Sequence, residues 1–113
     1  MSARVALVLV SHSRQLADGV AELASQMAPG VRILAAGGTG SGELGTSYDR
    51  VLEAVTTGLS EAGGVVVLAD LGSAILTVES VLEVLDEGPE TVVLADAPFV
   101  EGAVAAAVTA HGS

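Results

Sequence analysis

Residues 4–20, RVALVLVSHSRQLADGV, decide the fold. Val5 to Val10 is an unbroken run of Val, Leu and Ala, and such a run has no solvent-facing side, so it reads as a strand covered on both faces. The polar turn Ser11-His12-Ser13 follows at once. Beyond it Leu16, Val20, Leu23, Ala24 and Met27 recur at spacings of three and four until Pro29-Gly30 stops the pattern, which predicts a helix. A fully covered strand feeding a helix through a short turn is the opening of a parallel α/β sheet.

The rest of the chain repeats this unit. Val31 to Ala36, Val65 to Ala69 and Thr91 to Ala95 are further apolar runs of strand length. Val51, Leu52, Val55 and Leu59 form a helical stripe ended by Gly63-Gly64, and Ile75, Val78, Leu82 and Leu85 form another ended by Gly88-Pro89. Phe99 to Ala110 is Ala-rich and predicted helical, with His111, Gly112 and Ser113 expected to fray. Right-handed crossovers leave few arrangements for such a chain. The expected fold is a doubly wound, mainly parallel sheet of strand order 2-1-3-4 with helices on both faces, in a single domain spanning residues 1–113.

Half of the 113 residues are apolar but only 2% are aromatic, so the core must be built of close-packed Val, Leu, Ile and Ala. The formal net charge of -10 repels nucleic-acid phosphates and favours docking of basic protein surfaces, so protein partners are expected rather than nucleic acid. There is no cysteine and hence no disulfide. The opening MSARVALVLV lacks the length and cleavage site of a signal peptide, and no apolar run approaches the roughly 20 residues of a membrane-crossing helix. The sequence thus leads to the expectation of a cytoplasmic protein without a membrane segment.

In an open parallel sheet ligands bind beyond the carboxyl ends of the strands, where strand order reverses. Four loops fall on that edge: Ser11-His12-Ser13, the glycine-rich stretch from Gly37 to Ser47, Asp70-Leu71-Gly72-Ser73, and Asp96-Ala97-Pro98. The opposite loops, APG and EGPE, carry only turn chemistry. His12 directly follows the first strand and Asp70 the third, so adjacency of those strands brings an imidazole to a carboxylate. The carboxylate would fix the tautomer and leave the other ring nitrogen as an oriented nucleophile. Helices starting at the same edge, with Ser13, Thr46 or Ser47, and Ser73 as caps or hydrogen-bond donors, offer backbone N–H groups to an anion, phosphate above all.

Each residue also has a plainer role open to it. A histidine after a strand also serves as a turn residue, and an aspartate as a helix cap. Arg14 either touches an anion or decorates its helix, and His111 is a bystander. The segment from Gly40 to Gly45 matches G-x-G-x-x-G, but it follows the second strand and no second nucleotide-binding half remains for a dinucleotide. No Walker lysine follows it. These glycines serve either backbone turns or phosphate contact. A tetrapyrrole chelatase, suggested by the small-His-small-Arg turn, lacks further metal-binding side chains across the cleft, so neither metal nor cofactor is expected.

Taken together, LVLVSHS, GGTGSGELGTS, LADLGSA and LADAPFVEGAV resemble the phosphotransferase-system subunit of bacterial dihydroxyacetone kinase, over nearly the whole chain. That subunit is similar in turn to the mannose-type IIA domain of sugar transport, the alternative function. The resemblance implies a doubly wound homodimer in which His12 is phosphorylated and Asp70 is its hydrogen-bonding partner. It further implies a pocket lined by Gly38, Thr39, Thr46, Ser47, Leu71, Gly72 and Ser73, with Ser13 beside the phosphoryl group. The implied donor is the histidine phosphocarrier protein, and the implied acceptor is ADP bound on the kinase's nucleotide-binding subunit.

Overall fold

A computed structural model describes residues 5–39, 45–85 and 91–112. Its elements alternate as expected: β1 (Val5–Ser11), α1 (Arg14–Met27), β2 (Ile33–Gly37), α2 (Tyr48–Ala62), β3 (Gly64–Ala69), α3 (Gly72–Leu85), β4 (Val92–Leu94) and α4 (Phe99–His111). The strands form one sheet in the order β2-β1-β3-β4, and every pairing is parallel. Gly40–Leu44, which hold most of the G-x-G-x-x-G match, the Gly88-Pro89 stop and Ser113 lie outside the described residues.

The central strand explains why the opening run has no polar side. Ala6, Val8 and Val10 enter one core layer with Val51, Ala54 and Val55 of α2 and Ala74, Val78 and Val81 of α3. Leu7 and Leu9 enter the other with Val20 and Ala24 of α1 and Ala103, Ala107 and Ala110 of α4. All five residues from Ala6 to Val10 are fully buried. Leu9→Ala is therefore expected to cost about 2–5 kcal/mol, the usual range for a large-to-small change in a core. Thermal and urea unfolding of the variant measure it.

Two expectations need adjusting. In α1 the buried face is Ala17, Val20 and Ala24, whereas Leu16, Leu23 and Met27 are exposed at 40%, 45% and 54%. Small side chains let α1 lie close against the sheet and α4, and the helix is rotated so that its alanines face inward. Helix α4 continues one residue past the expected Ala110, through His111, and Gly112 donates its N–H to Val108 O at 3.1 Å.

Strand limits shift slightly. The second strand begins at Ile33 rather than Val31, because the Val31 N–H turns back to Ala28 O at 3.3 Å. The fourth strand is assigned only to Val92–Leu94, yet ladder bonds flank it, from Val65 N–H to Thr91 O at 2.8 Å and from Ala95 N–H to Val67 O at 2.9 Å. The order β2-β1-β3 places the reversal of winding between β1 and β3, whose carboxyl ends lie side by side with Val10 opposite Ala69.

Candidate functional site

Beyond that last register pair the chain makes two turns of opposite character. After β1, the buried Ser11 accepts the Ser13 N–H on its own Oγ at 3.0 Å, which bends the backbone and turns His12 outward. Ser13 then caps α1, its Oγ accepting from Leu16 N–H at 3.2 Å. After β3, Asp70 continues the ladder with its N–H on Val10 O at 3.1 Å, and α3 starts at Gly72. The two turns thus set His12 and Asp70 against each other.

The imidazole Nδ1 lies 3.0 Å from Asp70 Oδ1. The other carboxylate oxygen, Oδ2, accepts from Ser11 Oγ at 2.8 Å and from the His12 backbone N–H at 3.1 Å. Burial alone would raise the Asp70 carboxyl. The bond from the His12 ring, that from the Ser11 hydroxyl and that from the His12 backbone N–H together outweigh it, and the group sits below its ordinary value. An ionised carboxylate only accepts, so the ring proton belongs on Nδ1 and Nε2 carries the lone pair. Nε2 in turn meets Ser73 Oγ, which donates to it. The side chain of His12 is 23% exposed and that of Asp70 11%, so the ring lies at the rim and its anchor beneath.

Other predicted residues fall around this pair. Gly38, at φ 68°, donates its N–H to Ser11 O at 3.0 Å, and Gly45 donates to His12 O at 2.9 Å. Thr39 packs beside Gly45, its Cγ2 only 3.0 Å from where a Gly45 side chain would begin. Ser47, rather than Thr46, caps α2, accepting from Arg50 N–H at 3.3 Å. The Thr46 hydroxyl is buried with no partner among the described residues. Leu71 is 59% exposed, and Gly72 is exposed at the start of α3. Ser73 lies in the first turn of that helix with its hydroxyl on the imidazole. The fourth loop stays apart: Asp96, Ala97 and Pro98 are exposed, and among the described residues no bond joins Asp96 to the cluster. Arg14 pairs with Asp18 across one helical turn at 3.8 Å, the decorating role.

Two residues of the cluster were not singled out from sequence. Ser11 read only as part of the turn, since its long-range partner lies 59 positions away. Gly37 read as the start of a glycine-rich loop, yet it ends β2 directly beneath α1. A Cβ there would lie 2.7 Å from Ala17 Cβ, Arg14 Cα and Ser13 O. Two of these atoms are backbone and cannot swing aside. Gly37→Ala should therefore displace the start of α1, lowering stability by about 1–3 kcal/mol as overpacking does and perturbing the His12 resonances in NMR spectra.

Comparisons with known proteins bear on the family and the fold. A family model described as EIIA-man, PTS system fructose IIA component, matches residues 6–113. The PEP-dependent dihydroxyacetone kinase 1, phosphoryl donor subunit DhaM, of Listeria innocua serovar 6a is 42% identical over 101 residues, 89% of this chain and 77% of that protein. The phosphoryl donor subunit DhaM of Escherichia coli strain K12 is 42% identical over 111 residues, 94% of this chain but 23% of that longer protein. A crystal structure of a protein of unknown function, EF1359, has a TM-score of 0.86 and 38% identity, covering 100% of this chain and 85% of that one. The chain belongs to the EIIA-man family, as a DhaM-type subunit of the phosphotransferase system.

Proposed function

We propose that this chain is a cytoplasmic, homodimeric phosphohistidine relay in a PEP-dependent dihydroxyacetone kinase. It takes a phosphoryl group from the histidine phosphocarrier protein and passes it to ADP held on the kinase's nucleotide-binding subunit. The relatives' description as phosphoryl donor subunits supports the reading. The observation that carries it is the Asp70 carboxylate on His12 Nδ1, which leaves Nε2 as the nucleophile at an accessible rim.

The transfer runs in line. The Nε2 lone pair attacks phosphorus, the bond to the donor's ring nitrogen breaks, and that bonding pair leaves with the donor. His12 becomes cationic with its proton still on Nδ1, and Asp70 below stabilises that charge. Before attack the Ser73 hydroxyl must leave Nε2, and it then donates to a phosphoryl oxygen instead. The Thr46 hydroxyl, buried without a partner among the described residues, is a second donor for those oxygens, with N–H groups from Leu71 and Gly72, from Thr39 beside them across the pocket that Gly38 and Ser47 help to line, and from the first turns of α1 and α2. In the second half-reaction an oxygen of the ADP β-phosphate attacks, the P–Nε2 bond breaks, and His12 returns to its neutral tautomer.

Incubation with phosphoenolpyruvate, enzyme I and phosphocarrier protein, followed by mass spectrometry, tests the reading. One acid-labile phosphoryl group on His12 is expected, discharged on adding ADP-loaded kinase subunit. An acid-stable label on Ser11, Ser13 or Ser73 would sink it.

A further inference from the structure

Ser11 is the one fully buried polar side chain among the described residues, and its hydroxyl stands between the turn and the carboxylate. It accepts from Ser13 N–H at 3.0 Å, so its own proton is directed to Asp70 Oδ2 at 2.8 Å. Asp70 thus has two donors on Oδ2, the Ser11 hydroxyl and the His12 N–H, and one on Oδ1, the imidazole. A carboxylate can turn about its last side-chain bond, and a single backbone donor beside the ring would leave that rotation loosely determined. The second donor, rooted in β1 and shielded from water, fixes the plane in which Oδ1 meets Nδ1.

We infer that Ser11 is a positioning residue for phosphoryl transfer: its buried hydroxyl locks the Asp70 carboxylate and thereby holds His12 in the Nδ1-protonated, Nε2-nucleophilic tautomer. This deepens the relay reading and rests on it for the kinetic consequence alone, since the tautomer exists in the unphosphorylated chain. The bonds form one directed series, from Ser13 N–H through the Ser11 hydroxyl to Asp70, with the ring closing the other side, and each polarises the next. Removing the hydroxyl strands the Ser13 N–H and frees the carboxylate at once.

The test compares Ser11→Ala with Ser11→Thr, which keeps the hydroxyl. Two quantities are read: the steady-state rate of phosphoryl passage from phosphocarrier protein to ADP-loaded kinase subunit, and the His12 tautomer from long-range proton–nitrogen NMR spectra of the unphosphorylated chain. Ser11→Ala is expected to lower the maximal rate on the order of tenfold with the KM for phosphocarrier protein unchanged, and to shift His12 toward a tautomer mixture. Ser11→Thr restores most of both. Should Ser11→Ala not fold, Ser11→Cys, with a thiol of weak donor power, replaces it and is judged identically. A wild-type rate and tautomer in the alanine variant overturn the inference. So does a slowed variant whose imidazole stays fully Nδ1-protonated, or a folded threonine variant as impaired as alanine. If the wild-type chain takes no label on His12, the relay reading fails instead, and the tautomer alone judges Ser11.

Discussion

Replacing His12 with alanine is expected to abolish the acid-labile phosphoryl label and with it, in the proposed relay, all passage of phosphate from phosphocarrier protein to ADP. No other imidazole can substitute: His111, the second histidine of the chain, is exposed in the last turn of α4. The serines nearby are poor nucleophiles without a base, and the base that would serve them is the ring removed. Stability should change little, because His12 sits at the rim and no core side chain depends on it. Intact-mass measurement before and after acid treatment, beside a urea unfolding curve, checks both halves. A labelled His12→Ala chain would mean that the phosphoryl site lies elsewhere.

Asp70→Asn has the second large effect, and its sign follows from the donors already in place. The His12 backbone N–H can only donate, so the oxygen of the asparagine amide must take the place of Oδ2. The amide nitrogen then faces Nδ1 where Oδ1 stood, and it donates. That inverts the tautomer: Nδ1 becomes the acceptor and the proton moves to Nε2, the atom that must attack. A loss of about a thousandfold to ten-thousandfold in transfer rate is expected, the upper figure being that of catalytic triads in which an orienting carboxylate becomes an amide. Asp70→Ala, which leaves the tautomer unconstrained rather than inverted, should retain more activity than Asp70→Asn despite deleting more atoms. The reverse order would contradict the tautomer argument.

The same carboxylate gives a pH signature. Its native value lies below the ordinary one, so the stability it contributes is complete above the unfolded-state value and is lost as pH falls through the lowered native value. Urea midpoints measured from about pH 6 down to about pH 3 should fall for the wild-type chain. Asp70→Asn should lack that part of the decline while starting from a lower midpoint.

Much of this was legible before any coordinates. The apolar run of β1 has no polar side because both layers of the core share it, and the pairing of His12 with Asp70 follows from two strand ends and one strand order. The parts that escaped have physical reasons. A serine at a strand end is ordinary turn chemistry, and nothing local reveals a carboxylate partner 59 positions away. Ser73 was legible as either a cap or a hydrogen-bond donor, since serine opens helices so often, and only the coordinates put its hydroxyl on the imidazole. Gly37 read as loop because the glycines after it dominate the composition there, whereas the absence of a side chain at this position lets α1 seat on β2. The periodicity of α1 misled by one helical face, since alanines that bury well carry less apolar weight than leucines left outside.

The separation of the two site residues also bears on how the protein is made. His12 and Asp70 are 58 positions apart and meet only across the β1–β3 pairing. In the proposed relay, a growing polypeptide still short of β3 would carry the nucleophile without the anchor that sets its proton, and would react more slowly with a charged donor. Full competence would then arrive only with the long-range pairing, which ties the proposed chemistry to completed folding.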